Sequence, residues 1–110
     1  MSIQRECCPT DVVADDFSRE ALLFKALSDP HRLAILATLA RAGDEVCVCD
    51  FTAGLPLNQP AVSHHLKVLR ESGLVTCERR GTWVYYRIAE GAQRALKRTI
   101  KALFVEPVPA

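Results

Sequence analysis

No stretch of this sequence approaches the roughly 20 consecutive apolar residues that a bilayer-spanning helix requires. The polar start Met1-Ser2-Ile3-Gln4-Arg5-Glu6 lacks the apolar core of a secretory signal, so a cytoplasmic protein with no membrane partner is expected. An even set of cysteines is also missing: there are five, which rules out a complete framework of intramolecular disulfides. The βαβ scaffold and phosphate-like loop of a thiol enzyme such as an arsenate reductase or disulfide oxidoreductase are not found either, so the chain is not expected to be an enzyme. Hydrophobic residues at 49% and charged residues at 25% argue against wholesale disorder. With 110 residues, one domain is expected, completed by a partner subunit.

What is present is unevenly distributed. The formal net charge is only +1, but Asp11, Asp15, Asp16 and Glu20 face a single arginine, Arg19, in the early part of the chain. Between Gln59 and Ile88 the basic residues Lys67, Arg70, Arg79, Arg80 and Arg87 face only Glu71 and Glu78. Basic charge therefore collects where DNA-facing elements are expected. The cysteines are Cys7, Cys8, Cys47, Cys49 and Cys77. In a reducing compartment such clustering points to metal binding or redox chemistry, because thiolates are soft ligands for soft metals and metalloids.

Residues 1–15 contain Pro9 and several acids without apolar periodicity, and read as an arm carrying Cys7 and Cys8; residues 106–110 read as a tail. The body, residues 16–105, reads as mainly α with a small β-hairpin. A first helix is expected from Asp16 to Ser28, with Phe17, Ala21, Phe24 and Leu27 at helical spacing. Asp29-Pro30 supplies an N-cap and a first-turn proline for a second helix that buries Leu33, Leu36, Ala37 and Leu39 and stops at Gly43.

Glu45 to Cys49 is ambiguous. Residues i and i+2 of a helix point about 200° apart, whereas in an extended segment they share a face. A chelating Cys47/Cys49 pair therefore needs a non-helical or distorted backbone. Asp50 can cap a short helix from Phe51 to Leu55, leaving the cysteines at its entrance.

The next helix, Gln59 to Ser72, is capped by Asn58, has Pro60 in its first turn, and buries Val62, Leu66 and Leu69. Gln59, Ser63, His64 and Lys67 are placed away from that stripe, where they can reach base edges or phosphates. Successive helical residues diverge by about 100°, so His64 and His65 are not read as a metal pair. Gly73 ends the helix. Strands from Leu74 to Glu78 and Trp83 to Ile88 turn at Arg79-Arg80-Gly81-Thr82, whose arginines are expected on phosphate or in a minor groove. Trp83 and Tyr85 read as packing for the hairpin, and Cys77 as a wing residue. A helix-turn-helix followed by a basic-tipped hairpin is a winged helix. A terminal helix from Glu90 to Val105 carries Ala92, Leu96, Ile100, Leu103 and Phe104 on one side, more apolar face than a small monomer covers, so a homodimer is expected.

These segments resemble the ArsR/SmtB family of metal-sensing repressors. The resemblance rests on Phe24-Lys25-Ala26-Leu27-Ser28-Asp29-Pro30-His31-Arg32-Leu33, Glu45-Val46-Cys47-Val48-Cys49-Asp50-Phe51, Gln59-Pro60-Ala61-Val62-Ser63-His64-His65-Leu66 and Leu69-Arg70-Glu71-Ser72-Gly73-Leu74-Val75. The wing, Arg79-Arg80-Gly81-Thr82-Trp83-Val84-Tyr85-Tyr86-Arg87, is most similar to that of arsenic-responsive members. The resemblance implies a homodimer on an inverted-repeat operator of double-stranded DNA, released when As(III) or Sb(III) is bound by three thiolates. A sibling group binds Cd(II) or Pb(II) with four. Cys47 and Cys49 match the core shared by both. Some arsenic sensors have a third cysteine where this chain has Thr52, so Cys7 or Cys8 is the implied replacement. One arm cysteine per site favours the arsenic-type set. No histidine or carboxylate ligands of the terminal-helix zinc type are present. A thiol redox-responsive repressor on the same fold is the remaining alternative.

Overall fold

The structure is a computed structural model that describes residues 11–105; Cys7, Cys8 and the 106–110 tail lie outside the described residues. Helix α1 runs Ser18–Leu27 and α2 Pro30–Ala42, followed by a two-residue strand β1, Val46–Cys47, and a short helix α3, Val48–Gly54. Helix α4 is Gln59–Glu71, strands β2 and β3 are Val75–Arg80 and Trp83–Ile88, and α5 is Ala92–Leu103. This is the mainly helical winged helix-turn-helix expected. No described helix is long and apolar enough to cross a membrane.

Helix boundaries follow from local chemistry. The Asp29 carboxylate accepts from the amides of His31 at 2.8 Å and Arg32 at 3.1 Å, satisfying two of the orphan donors at the start of α2. Desolvation would raise the Asp29 pKa, but the Arg32 and His31 amides and the nearby cations overcome it, and the carboxyl lies below its ordinary range. Gly43 closes α2 at φ 68°, a left-handed conformation that L side chains adopt only at a cost. Asn58 caps α4 by accepting from the Ala61 amide at 2.9 Å.

The core forms where α2, α3, α4 and the sheet meet. Ile35 and Leu39 of α2, Phe51 of α3, Val62, Leu66 and Leu69 of α4, and Leu74, Val75 and Tyr86 of the sheet make one buried cluster. The α4 stripe is as expected. The α2 face is rotated: Leu33 is half exposed and Ile35 takes the buried position. Helix α1 differs in part: Leu27 packs inward as expected and Phe24 is half-buried, but Leu23 and Ala26 turn inward while Phe17 and Ala21 stay exposed. Spacing alone permits both faces of α1, and packing against α2 and α4 selects the one with small Ala26 at the contact.

Two further boundaries differ from expectation. The hairpin strand β2 extends through Arg80, which pairs with Trp83, so only Gly81 and Thr82 form the turn. Gly81 at φ 62° supplies the conformation that a tight hairpin turn demands. The ambiguous Glu45–Cys49 segment adds a third strand: Val46 pairs with Tyr86 and Cys47 with Tyr85, antiparallel, giving the order β1-β3-β2.

Candidate functional site: a thiol pair in the cleft between recognition helix and wing

Cys47 is both the last residue of β1 and the N-cap of α3, extended at φ −72°, ψ 143°. Cys49 follows in the first helical turn. The cap expected at Asp50 thus moves to Cys47, because pairing of β1 with β3 holds the backbone extended up to Cys47 and releases it there. The junction resolves the geometric problem of an i, i+2 pair: one cysteine is extended, the other helical, and their sulfurs converge. Cys49 Sγ donates to Cys47 Sγ at 2.7 Å, and the Cys49 amide reaches the Cys47 sulfur at 3.4 Å. The hydrogen bond to Cys47 is the main cause that pushes the Cys49 thiol up, with desolvation and the nearby Asp50 carboxylate adding to it. Both cysteines are free thiols, Cys47 buried and Cys49 exposed.

Around the sulfurs lies a half-open cleft of about 640 Å³ between α3, the start of α4 and the hairpin. Gln59 and Ser63 of α4 line it, as do Arg79, Thr82, Trp83 and Val84 of the wing. The thiol pair and three of the residues expected to face DNA therefore share one space. Trp83 lines the cleft and is 54% exposed, so it is not merely hairpin packing.

The remaining expected DNA-facing residues divide. His64 and Lys67 are exposed on α4. Arg70, one turn on from Lys67, leans back over the sheet, donating from Nη1 to Cys77 Sγ at 3.5 Å, and that contact raises its pKa. Arg80 is held by carboxylates: it pairs with Glu45 and with Glu78, and its guanidinium lies 4.7 Å from the Tyr85 ring centroid. Arg79, in the cleft lining, has no ion pair among the described residues. Glu45 was not anticipated as a site residue; its signal was its position, two residues before Cys47, opposite a run of arginines.

His65 is not a ligand to the pair. Its Nδ1 lies 3.0 Å from Arg32 Nη1 and 4.0 Å from Asp29 Oδ1, and Arg32 Nε donates to the Ala26 carbonyl at 2.6 Å, tying α1, α2 and α4 together. Desolvation is the main cause that lowers the His65 pKa; Asp29 opposes it, and Arg32 and the two neighbouring histidines reinforce it. Among the described residues no group of three or more His, Cys, Asp or Glu side chains is placed to hold a metal ion.

A helix-turn-helix with a basic hairpin at its side defines a winged-helix regulator. Residues 29–76 match the family model described as bacterial regulatory protein, arsR family. An uncharacterised HTH-type transcriptional regulator of Methanocaldococcus jannaschii is 36% identical over 89 residues, covering 81% of this chain and 99% of that protein. The arsenical resistance operon repressor of Escherichia coli is 48% identical over 67 residues, 61% of this chain and 56% of the repressor, so the chain spans little more than half of that relative. A crystal structure of a possible transcriptional regulatory protein from Mycobacterium bovis superposes with a TM-score of 0.65 at 33% identity, over 79% of this chain and 92% of that one. This chain belongs to the ArsR/SmtB family of transcriptional regulators.

Proposed function

We propose that the protein is a transcriptional repressor that binds an inverted-repeat operator in double-stranded DNA as a homodimer and is released when Cys47 and Cys49 capture As(III) or Sb(III). A thiol from Cys7 or Cys8 would complete a three-sulfur set. The observation that carries this reading is the shared cleft: the two sulfurs lie in the same space as Gln59, Ser63 and Arg79. Soft thiolates fit a thiophilic ion, and the convergence of the sulfurs supplies two donors without refolding of the segment.

The dimer is supported by the apolar face of α5. Ile100 and Leu103 are 43% and 44% exposed, and Phe104 beyond them is 76% exposed. No α5 residue is buried. A second copy covering this face and that of α1 would set the two α4 helices for successive major grooves, about 34 Å apart. Capture at the β1–α3 junction changes the first turn of α3, which packs Phe51 against the core beneath α4. A differential affinity of about 1–3 kcal/mol between the two forms corresponds to an approximately 5- to 150-fold change in operator binding.

Operator binding is measured by fluorescence anisotropy with and without arsenite. Wild type should lose affinity on addition of arsenite, and the double variant Cys47→Ser, Cys49→Ser should bind DNA but keep its affinity when arsenite is added. Arsenite-insensitive binding by the wild type rejects the reading.

A further inference from the structure

His65 does not line the thiol cleft; it packs at the junction of α1, α2 and α4, with its side chain 13% exposed. Arg32 of α2 reaches it with one arm of its fork. Nη1 lies 3.0 Å from His65 Nδ1, while Nε donates to the Ala26 carbonyl at 2.6 Å and Nη2 to the Lys25 carbonyl at 3.2 Å. A guanidinium has N–H donors and no acceptor, so His65 Nδ1 accepts and the ring is neutral, its proton on Nε2. One side chain thus fastens the last turn of α1 and the middle of α4 to α2. The groups that face the ring are Asp29, Arg32 and His31 from the α2 side and His64 on α4, with the His31 and His64 ring centroids at 5.9 and 6.0 Å. Helix α1 contributes the two backbone carbonyls that Arg32 holds. Asp29 Oδ1, which caps α2, lies 4.0 Å from the same Nδ1. Desolvation keeps the ring's pKa below its ordinary 6.5, so the ring is neutral at pH 7.5.

We propose that Arg32 and His65 form a proton-released latch: with the ring neutral they hold α4 in the orientation that reads the operator, and acid, by protonating His65, frees it. Arg32 is then a positioning residue for the recognition helix. The latch rests on the reading of α4 as the DNA-reading helix and does not involve the thiols. A proton taken from solvent must enter the ring at Nδ1, where it sets an N–H against the N–H of Arg32 and a cation against a cation. The bond to Arg32 breaks. The Asp29 carboxylate, 4.0 Å away, is the acceptor beside the charged ring, and closing that distance to hydrogen-bond length moves the ring by roughly 1 Å. The tie from α4 through Arg32 to α1 is lost with the same step. Ser63, His64 and Lys67 stand beside His65 on α4 and move with it. Base-edge hydrogen bonds tolerate little displacement, whereas attraction to phosphate falls slowly with distance. Acid therefore lowers affinity for the operator while binding to other DNA persists, helped by the added charge on exposed His64.

The test uses the reduced full-length chain, an operator duplex obtained by in vitro selection at pH 7.5, and a scrambled duplex of the same composition. Both affinities are read by fluorescence anisotropy at fixed ionic strength from pH 7.5 to 5.5, the window in which a histidine changes charge, with folding followed by circular dichroism. Only the neutral-ring fraction reads the operator, so wild type should lose about two- to fivefold of its preference for operator over scrambled DNA across this range. His65→Gln has an amide oxygen that still accepts from Arg32 and does not titrate, and it should keep its preference at pH 5.5. His64→Gln should retain the acid loss. Arg32→Lys keeps the charge but cannot hold α1 and His65 together, so its preference should already be reduced at pH 7.5 and fall little further. A wild-type preference equal at the two pH values, or an acid loss that persists undiminished in His65→Gln, overturns the latch and leaves the arsenite response standing. If selection at pH 7.5 enriches no sequence, the DNA-reading assignment of α4 falls and the latch falls with it.

Discussion

The Arg80 guanidinium at the wing grips Glu45 on the approach to the thiol strand: Nη2 donates to Glu45 Oε2 at 2.8 Å and to Glu78 Oε2 at 2.6 Å. Arg87 adds a bond to the same Glu45 oxygen at 3.2 Å. A carboxylate two residues from Cys47 thus links the thiol strand to the wing. The Arg80 hydrogen bond is the main cause that holds the Glu45 pKa below its ordinary value of 4.5; desolvation opposes it and Arg87 assists. Because the folded value is the lower one, this stabilisation is present above pH 4.5 and is lost as pH falls through the folded pKa. Urea midpoints measured from pH 6 down to pH 3 should therefore fall less steeply in Glu45→Gln than in wild type, with about the same midpoint slope m. Parallel acid limbs would show that the grip contributes nothing to folding.

His65 on α4 makes a second part of the molecule pH-sensitive. Its folded pKa lies below the ordinary 6.5, chiefly through desolvation, so the unfolded chain binds the proton more readily. Stability contributed by the neutral ring is complete above pH 6.5 and declines as pH falls below it. Thermal midpoints taken between pH 5 and 8 should rise with pH over this window in wild type and lose that component in His65→Gln. A His65→Gln profile that matches wild type would remove His65 as its cause.

Leu66 is fully buried on α4, between the thiol cleft and the core. Leu66→Ala leaves a cavity and should cost about 2–5 kcal/mol of unfolding free energy, measured by urea titration. Ser63→Ala, one turn away and exposed, should stay within about 0.5 kcal/mol. A small loss at Leu66 would mean that α4 does not pack as described.

Cys47 caps α3 through its sulfur, and serine is a strong capping residue. Cys47→Ser should therefore fold with a stability within about 1 kcal/mol of wild type, so that its loss of arsenite response reads as loss of a ligand. A variant that is unfolded by circular dichroism at 25 °C would show that the thiol is chiefly structural.

Lys67 and Gln59 should separate by their contacts with DNA. Lys67→Ala is expected to weaken binding to all sequences and lower the salt slope of log Kd by about 1, as loss of one phosphate contact does. Gln59→Ala should instead cost about 1–3 kcal/mol on the operator and much less on random DNA. Anisotropy titrations at several salt concentrations distinguish the two; identical behaviour would place both residues on the backbone.

Local chemistry settled a good part of this protein in advance. Asp29 and Asn58 announce their helices because a short oxygen-bearing side chain before a proline-containing first turn has few other conformations to adopt. The Val62, Leu66, Leu69 stripe is legible because its neighbours on α4 are polar, and Gly81 marks the turn because its backbone must be left-handed. The face of α1, the third strand and the fate of Arg80 depend instead on partners tens of residues away. Phe17 and Ala21 satisfy helical spacing with Leu27 as well as Leu23 and Ala26 do, and only docking on α2 and α4 chooses between them. Cys47 and Cys49 read as an unresolved alternation until Tyr85 and Tyr86 on β3 hold Val46 and Cys47 extended. Pairing across forty residues, not any preference of the segment itself, turns two spaced thiols into one convergent pair and places them against Gln59, Ser63 and Trp83.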